Sequence, residues 1–235
     1  MKESIENLLP FERDLFFALN GSDSLFLDLD NVFWTFTGRY VWILLWIFLL
    51  VMFFYRTHRR EGILAAVFFI LVIVVCDQVS SSVIKEIFQR LRPTRHPDFK
   101  DMVDMVNGYR GGGFSFVSGH ATNSFGLAVL LSLIYKNRWV TIPVLVWATL
   151  NSYSRIYLGV HFVSDVLGGI IVGSLLAWLL YQLYVWIRAR FYHIPRYKSR
   201  LSVYSTQSSR IVGFVISVYT LLIIIFSPFL ATLPH

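Results

Sequence analysis

The chain has 235 residues, 56% hydrophobic and 17% aromatic, with 15% charged and a mean hydropathy of +0.60. A water-soluble domain carries about a quarter charged residues, so this chain lacks the polar surface to cover itself in water, and a single cysteine, Cys76, excludes a disulfide scaffold. A net charge of +7 would raise nucleic acid as a partner for a soluble protein, but here the basic residues lie between long apolar runs and read first as membrane topology.

Residues 1–39 form an acidic tail, with Glu3, Glu6, Glu12, Asp14, Asp23, Asp28 and Asp30 against Lys2, Arg13 and Arg39. The tail has no uninterrupted apolar core and so does not read as a cleavable secretion signal. Its stretches LLPFERDLFFAL and LFLDLDNVFWTF mix apolar and acidic positions, which predicts amphipathic helices lying at a membrane interface. Six apolar segments follow, at 40–55, 62–85, 121–135, 139–153, 161–187 and 211–233. Five are long enough, or nearly so, for a hydrocarbon core that takes about 20 residues to cross, and 40–55 is short but flanked by Trp34 and Phe36. Trp42, Trp46, Trp139, Trp178 and Trp186 lie toward segment ends, where interfacial anchors belong. The predicted fold is all-α, a six-helix transmembrane bundle over residues 40–235 with N-terminal interfacial helices.

The connections orient the bundle. Arg56, Arg59 and Arg60 join the first two segments, Lys136 and Arg138 the third and fourth. Arg188, Arg190, Arg196, Lys198, Arg200 and Arg210 join the fifth and sixth. Alternate loops are therefore basic and belong in the cytoplasm, which places the tail, loop 86–120 and turn 155–160 outside. Loop 86–120 nevertheless carries Arg90, Arg92, Arg95, Lys100 and Arg110. Either a long loop crosses regardless of its charge, or these cations bind an anion.

Three short stretches converge on that outer face. Lys85 and Arg92 stand seven apart before Pro93, so on a helix they return to one face, although snorkelling cations at a helix end would look the same. Ser118-Gly119-His120 opens the third segment after the pliable Gly111-Gly112-Gly113. Free N–H groups at a helix start cradle phosphate, and Gly119 permits close approach; Ser118 is equally a plain helix cap. Ser154-Arg155 precedes His161 and Asp165, which stand four apart and share a face. A carboxylate on one imidazole nitrogen fixes the tautomer and leaves the other as an oriented nucleophile or base. Histidine and aspartate at this spacing also suit zinc, but Lys85, Arg92 and Arg155 would repel the ion, and no HExxH or cysteine cluster is present. The reading is no metal. Together the stretches supply an inventory for phosphoryl transfer.

On these residues the sequence resembles the phosphatidic acid phosphatase type 2 superfamily of integral membrane lipid phosphatases. The signature K-x6-R-P, P-S-G-H and S-R-x5-H-x3-D is matched by Lys85 to Arg92-Pro93, by Ser118-Gly119-His120 and by Ser154-Arg155 to His161 to Asp165, with Val117 in place of the usual proline. The tail and residues 94–113 have no counterpart in that signature. The resemblance implies that His161 attacks phosphorus to form a phosphohistidine, that Asp165 orients it, and that His120 protonates the leaving oxygen and later activates water. It further implies that Lys85, Arg92, Ser118, Gly119 and Arg155 hold the phosphoryl oxygens, with no cofactor.

The expected partners are a lipid phosphate and membrane lipids, not nucleic acid, at a bacterial inner membrane with the site facing the periplasm; oligomeric state stays open. A bacterial isoprenoid or glycerolipid phosphate, such as undecaprenyl diphosphate or phosphatidylglycerol phosphate, is placed first among substrates and lipid A second. Arg90, Arg95, Lys100 and Arg110 would suit a bulky, charged headgroup. Apolar residues around Leu127–Leu133 and Ile170–Leu176 could line a lateral entry or simply pack, and Gly169 and Gly173 mark a close helix contact. Other classes remain: an anion-coupled transporter, which would predict internal repeats and broken helices at mid-membrane, or an inactive lipid-binding relative.

Overall fold

A computed structural model describes residues 8–21, 29–38, 40–98 and 100–232, except the side chain of Arg196. The tail charges Lys2, Glu3, Glu6, Asp23, Asp28 and Arg39 lie outside the described residues. The described part is helical, without strands: α1 Leu9–Leu19, α2 Leu29–Thr37, α3 Ile43–Met52, α4 Arg59–Phe88, α5 Gly119–Tyr135, α6 Arg138–Tyr157, α7 Val163–Phe191, α8 Arg196–Ser199, α9 Thr206–Ile225 and α10 Ser227–Leu230.

Helices occupy all six apolar segments. Three of them, α4, α7 and α9, are long and apolar enough to cross a membrane, and α2 reaches that standard only together with Tyr40–Met52, across a bend of 78°. α5 is only 17 residues long, and α6, at 20 residues, is made too polar by groups of the site, among them Asn151, Ser154 and Arg155. The long apolar helices α4, α7 and α9 make the chain an integral membrane protein.

α5 is the central helix, packed most extensively on α7 and α6 and then on α4. Its crossing with α7 is close because glycines face each other there. A Cβ at Gly169 would lie 2.7 Å from the Ser118 carbonyl oxygen and 2.9 Å from Ala121 Cβ, and one at Gly173 would lie 3.0 Å from the Gly126 amide nitrogen. The sequence expectation of a small-residue contact is met, and it sets the distance between the starts of α5 and α7. At the basic end, buried Arg188 pairs with Glu61 at 3.0 Å and fastens the end of α7 to the start of α4. The main core fills the space between with Phe53, Phe68, Leu130, Tyr135, Trp147 and Ile216.

The N-terminal helices pack against the bundle. α1 leaves Phe11 85% exposed but buries Glu12 and Phe16 against the start of α7, and α2 buries Phe33, Thr35 and Phe36 against α6 and α10. Asn20 clamps this region, donating to the carbonyls of Asp104 (3.0 Å) and Tyr157 (2.9 Å) while accepting from the Asp104 amide (2.9 Å).

Candidate active site

The three motifs meet at one cavity of about 680 Å³. Lys85, Arg92, Gly119, His120, Arg155 and His161 all line it, brought from α4, loop 89–118, α5, α6 and the turn before α7. Each arrives for a local reason. Pro93 ends the possibility of continuing α4, and Arg92 has already left in extended backbone. Ser118 caps α5 by accepting from the Ala121 amide at 3.4 Å, which leaves the Gly119 amide free of an intrahelical partner. Asp165, at the third position of α7, reaches back to the Phe162 amide at 2.8 Å, so one carboxylate both starts the helix and stands behind His161.

His161 sits between charges of opposite sign. Its Nδ1 lies 3.6 Å from Asp165 Oδ2 and 3.4 Å from Ser115 Oγ, while Nε2 lies 3.1 Å from Arg92 Nη1. Guanidinium has no acceptor, so that last contact requires the lone pair to be on Nε2 and the proton on Nδ1. The free nitrogen therefore points at the cation side of the cavity and the protonated one at the carboxylate. Arg92 is held in turn by the carbonyls of Gly112 (2.6 Å from Nη2) and Val160 (2.9 Å from Nη1). Burial, and then the neighbouring Arg155, lower its pKa to about 10, which still leaves it charged at neutral pH. Arg155 bonds Thr37 Oγ1 and approaches the Tyr109 hydroxyl at 3.5 Å. His120, the second residue of α5, lines the cavity beside Gly119.

Two residues sit differently from expectation. Ser118 is fully buried with its hydroxyl turned back to cap α5, and the cavity at this point is lined by Gly119. Arg90, read as a candidate headgroup cation, is 1% exposed and engaged elsewhere: it bonds Asp165 Oδ1 at 2.8 Å, Ser164 Oγ at 2.7 Å and the carboxylate of Glu12. Arg95 bonds the Gly111 carbonyl at 2.8 Å and so helps shape the loop that holds Arg92, while Lys100 and Arg110 are exposed.

Several contributors were missed by the sequence reading. Glu12 reaches the Ser164 amide (2.9 Å), Ser115 bonds Asp165, and Thr37 and Tyr109 brace Arg155. None carries a local sequence signal, because each acts from a distant stretch of chain. Asp77 also lines the cavity, and it did carry a signal: an ionisable group inside an apolar run is a functional candidate.

Comparison with known proteins agrees with this geometry. The chain is 37% identical over 216 residues to the lipid A 4'-phosphatase of Porphyromonas gingivalis, covering 90% of this chain and 91% of that protein. It is 32% identical over 179 residues to an undecaprenyl-diphosphatase of Sulfolobus acidocaldarius, covering 76% of this chain and 81% of that one. The fold is similar to the crystal structure of Aquifex aeolicus LpxE, with a TM-score of 0.58 and 27% identity over 73% of this chain and 95% of that one. A family model for the PAP2 superfamily matches residues 63–189, the stretch that holds all three motifs, and the chain belongs to that superfamily.

Proposed function

We propose that the protein hydrolyses the phosphate of a membrane lipid through a phosphohistidine on His161. The observation that carries this reading is the orientation of that imidazole, with Nε2 on the Arg92 guanidinium and Nδ1 toward Asp165. Lys85, Arg92, Arg155 and the Gly119 amide hold the phosphoryl oxygens. They are preorganised donors where charge develops, the usual source of catalysis in phosphoryl transfer. His161 Nε2 attacks phosphorus as the bond to the lipid oxygen breaks, and His120 gives that oxygen a proton. His120 then takes a proton from water, whose oxygen attacks phosphorus, and the P–N bond breaks to release inorganic phosphate. Asp165 holds the imidazole and balances its positive charge while it carries the phosphoryl group. No metal is needed, since lysine and two arginines supply the positive charge.

In this reading all six apolar segments cross a bacterial inner membrane, loop 86–120 and the N-terminal helices face the periplasm, and the basic loops face the cytoplasm. Two lipid classes are suggested by the relatives, whose names give lipid A and undecaprenyl diphosphate as their substrates. The deciding experiment is His161→Ala in purified protein with a lipid phosphate. Phosphate release should vanish while the protein stays monodisperse and helical; near-normal turnover would remove His161 as nucleophile.

A further inference from the structure

The basic end of the bundle holds more positive charge than the chain itself neutralises. Its three connections, 56–61, 136–138 and 188–210, carry eleven lysines and arginines and one carboxylate, Glu61. That carboxylate is buried and already paired with Arg188. Among the described residues no other carboxylate pairs with a cation at this end, so the counter-charge comes from outside the chain.

Two of these cations flank a groove. α6 and α9 both start at the basic end and pack side by side, and between them lies a cavity of about 690 Å³. α6 lines it with Arg138, Trp139, Ile142 and Pro143, and α9 with Arg210, Gly213, Phe214 and Ser217. Each set recurs at helical spacing and so occupies one face of its helix. The cation comes first in both sets. Charge therefore gathers at the mouth, and apolar groups extend inward, about 10 Å along α9 to Ser217. The floor is shallow because the helices meet there without side chains between them. A Cβ at Gly213 would lie 1.6 Å from the Trp139 carbonyl oxygen, so the two backbones touch. Pro143, four residues on, has no N–H to draw that carbonyl back into its own helix. Ile142 and Phe214 stand beside the floor, 60% and 68% exposed. Ser217 donates its hydroxyl to the Gly213 carbonyl at 2.9 Å, so the inner end matches hydrocarbon rather than a polar group. At the mouth the Arg210 guanidinium lies 5.7 Å from the centre of the Trp139 ring, which holds it over the groove.

We infer that this groove binds an anionic phospholipid, with the headgroup phosphate between Arg138 and Arg210 and an acyl chain along Ile142, Phe214 and Ser217. Charge at one end and hydrocarbon at the other select that occupant. A free phosphate would leave the apolar walls uncovered. A zwitterionic lipid would cover them but bring an ammonium beside two guanidiniums. The groove is separate from the cavity of the three motifs: Arg138 and Arg155 stand at opposite ends of α6, about 26 Å apart. Occupancy therefore does not depend on phosphoryl transfer, and in the orientation proposed above the groove opens to the cytoplasmic leaflet. A lipid seated there packs on both helices at once, at the end of α6 far from Arg155.

Native mass spectrometry of the purified full chain tests this with phosphatidylglycerol and phosphatidylcholine of the same acyl chains. Phosphatidylglycerol carries a phosphodiester rather than a terminal phosphate, so its binding is read apart from hydrolysis. It should bind about tenfold more tightly than phosphatidylcholine. Arg138→Gln/Arg210→Gln should weaken it by about 25-fold, fivefold for each cation. Arg59→Gln/Arg60→Gln removes the same charge from the same end but outside the groove, and should change it by less than about twofold. Ser217→Phe keeps both cations, fills the inner end, and should weaken both lipids by about threefold or more. Glycerophosphoglycerol, the headgroup without its chains, should not compete. If the groove double variant does not fold, Arg138→Gln and Arg210→Gln singly carry the comparison. Equal losses in the two double variants reduce the effect to diffuse attraction and overturn the site. Equal affinity for the two lipids, unchanged binding in Ser217→Phe, competition by the bare headgroup, or a dimer that takes up no lipid overturns it as well.

Discussion

Arg90 and Asp165 form an ion pair shielded from solvent, with 2.8 Å between Nη1 and Oδ1 and side chains 1% and 0% exposed. Glu12 closes on Arg90 from the other side, and the guanidinium lies 4.2 Å from the centre of the Phe162 ring. Burial alone would lower the Arg90 pKa; the two carboxylates outweigh it and raise it. The charge is therefore fixed, and it anchors the carboxylate behind His161 to an N-terminal helix outside the region matched to the superfamily.

Removing Arg90 should leave two buried carboxylates facing each other. Arg90→Met is expected to cost about 3–5 kcal/mol, the range for breaking a buried pair by deleting one partner. Thermal unfolding in detergent checks it. A double-mutant cycle with Glu12→Gln should show coupling of about 0.5–3 kcal/mol, and strict additivity would mean that the contact carries no energy.

Loss of His120 should depend on the leaving group. With an alkyl phosphate, which needs a proton on departure, His120→Ala should reduce turnover by about 10²–10⁴-fold, the usual contribution of a general acid. With an aryl phosphate the first step needs no such help, but hydrolysis of the intermediate still does. A phosphorylated, acid-labile His161 should then accumulate and be visible by mass spectrometry at neutral pH. Absence of any adduct, with equal losses on both substrates, would remove His120 from both proton transfers.

The positive charge at the site comes from side chains, so phosphate release should survive EDTA. Vanadate should inhibit by occupying the cradle of Lys85, Arg92 and Arg155 as a trigonal bipyramid. Activity lost to chelation and restored by zinc or magnesium would reopen the metal reading.

The α5–α7 crossing should tolerate no side chain at Gly173. Gly173→Val places atoms against the Gly126 backbone, 3.0 Å from a Cβ, and against the Thr122 carbonyl. Overpacking of this kind costs about 1–3 kcal/mol. A lowered melting temperature together with reduced turnover is expected, because the same crossing spaces His120 from His161. An unchanged melting temperature would show that the helices part without cost.

The helices and the motif residues were legible in the sequence because both are local. Apolar runs announce helices, and Lys85 to Arg92 or His161 to Asp165 announce a shared face through spacing alone. The role of Arg90 was not legible, because nothing local distinguishes it from Arg92 two residues later. One is turned to Glu12 and Asp165, the other to Gly112, Val160 and His161. Ser118 was ambiguous for a related reason, since a hydroxyl at a helix start serves equally as cap or as phosphate donor until its direction is known.

By itself the sequence determined that the chain is helical, belongs in a membrane and carries the groups for phosphoryl transfer. These follow from composition, from hydrophobic run length and from residue types at fixed spacing, all properties of neighbours along the chain. Only the tertiary structure decided which cation faces the cavity and which is locked behind Asp165. It alone also placed Glu12 in the support of His161, and Asp77 on the wall of the cavity. Those assignments depend on close packing between segments up to about 150 residues apart, such as Glu12 and Ser164, 152 positions removed. There side-chain direction, set by helix crossing and burial, determines which charge meets which.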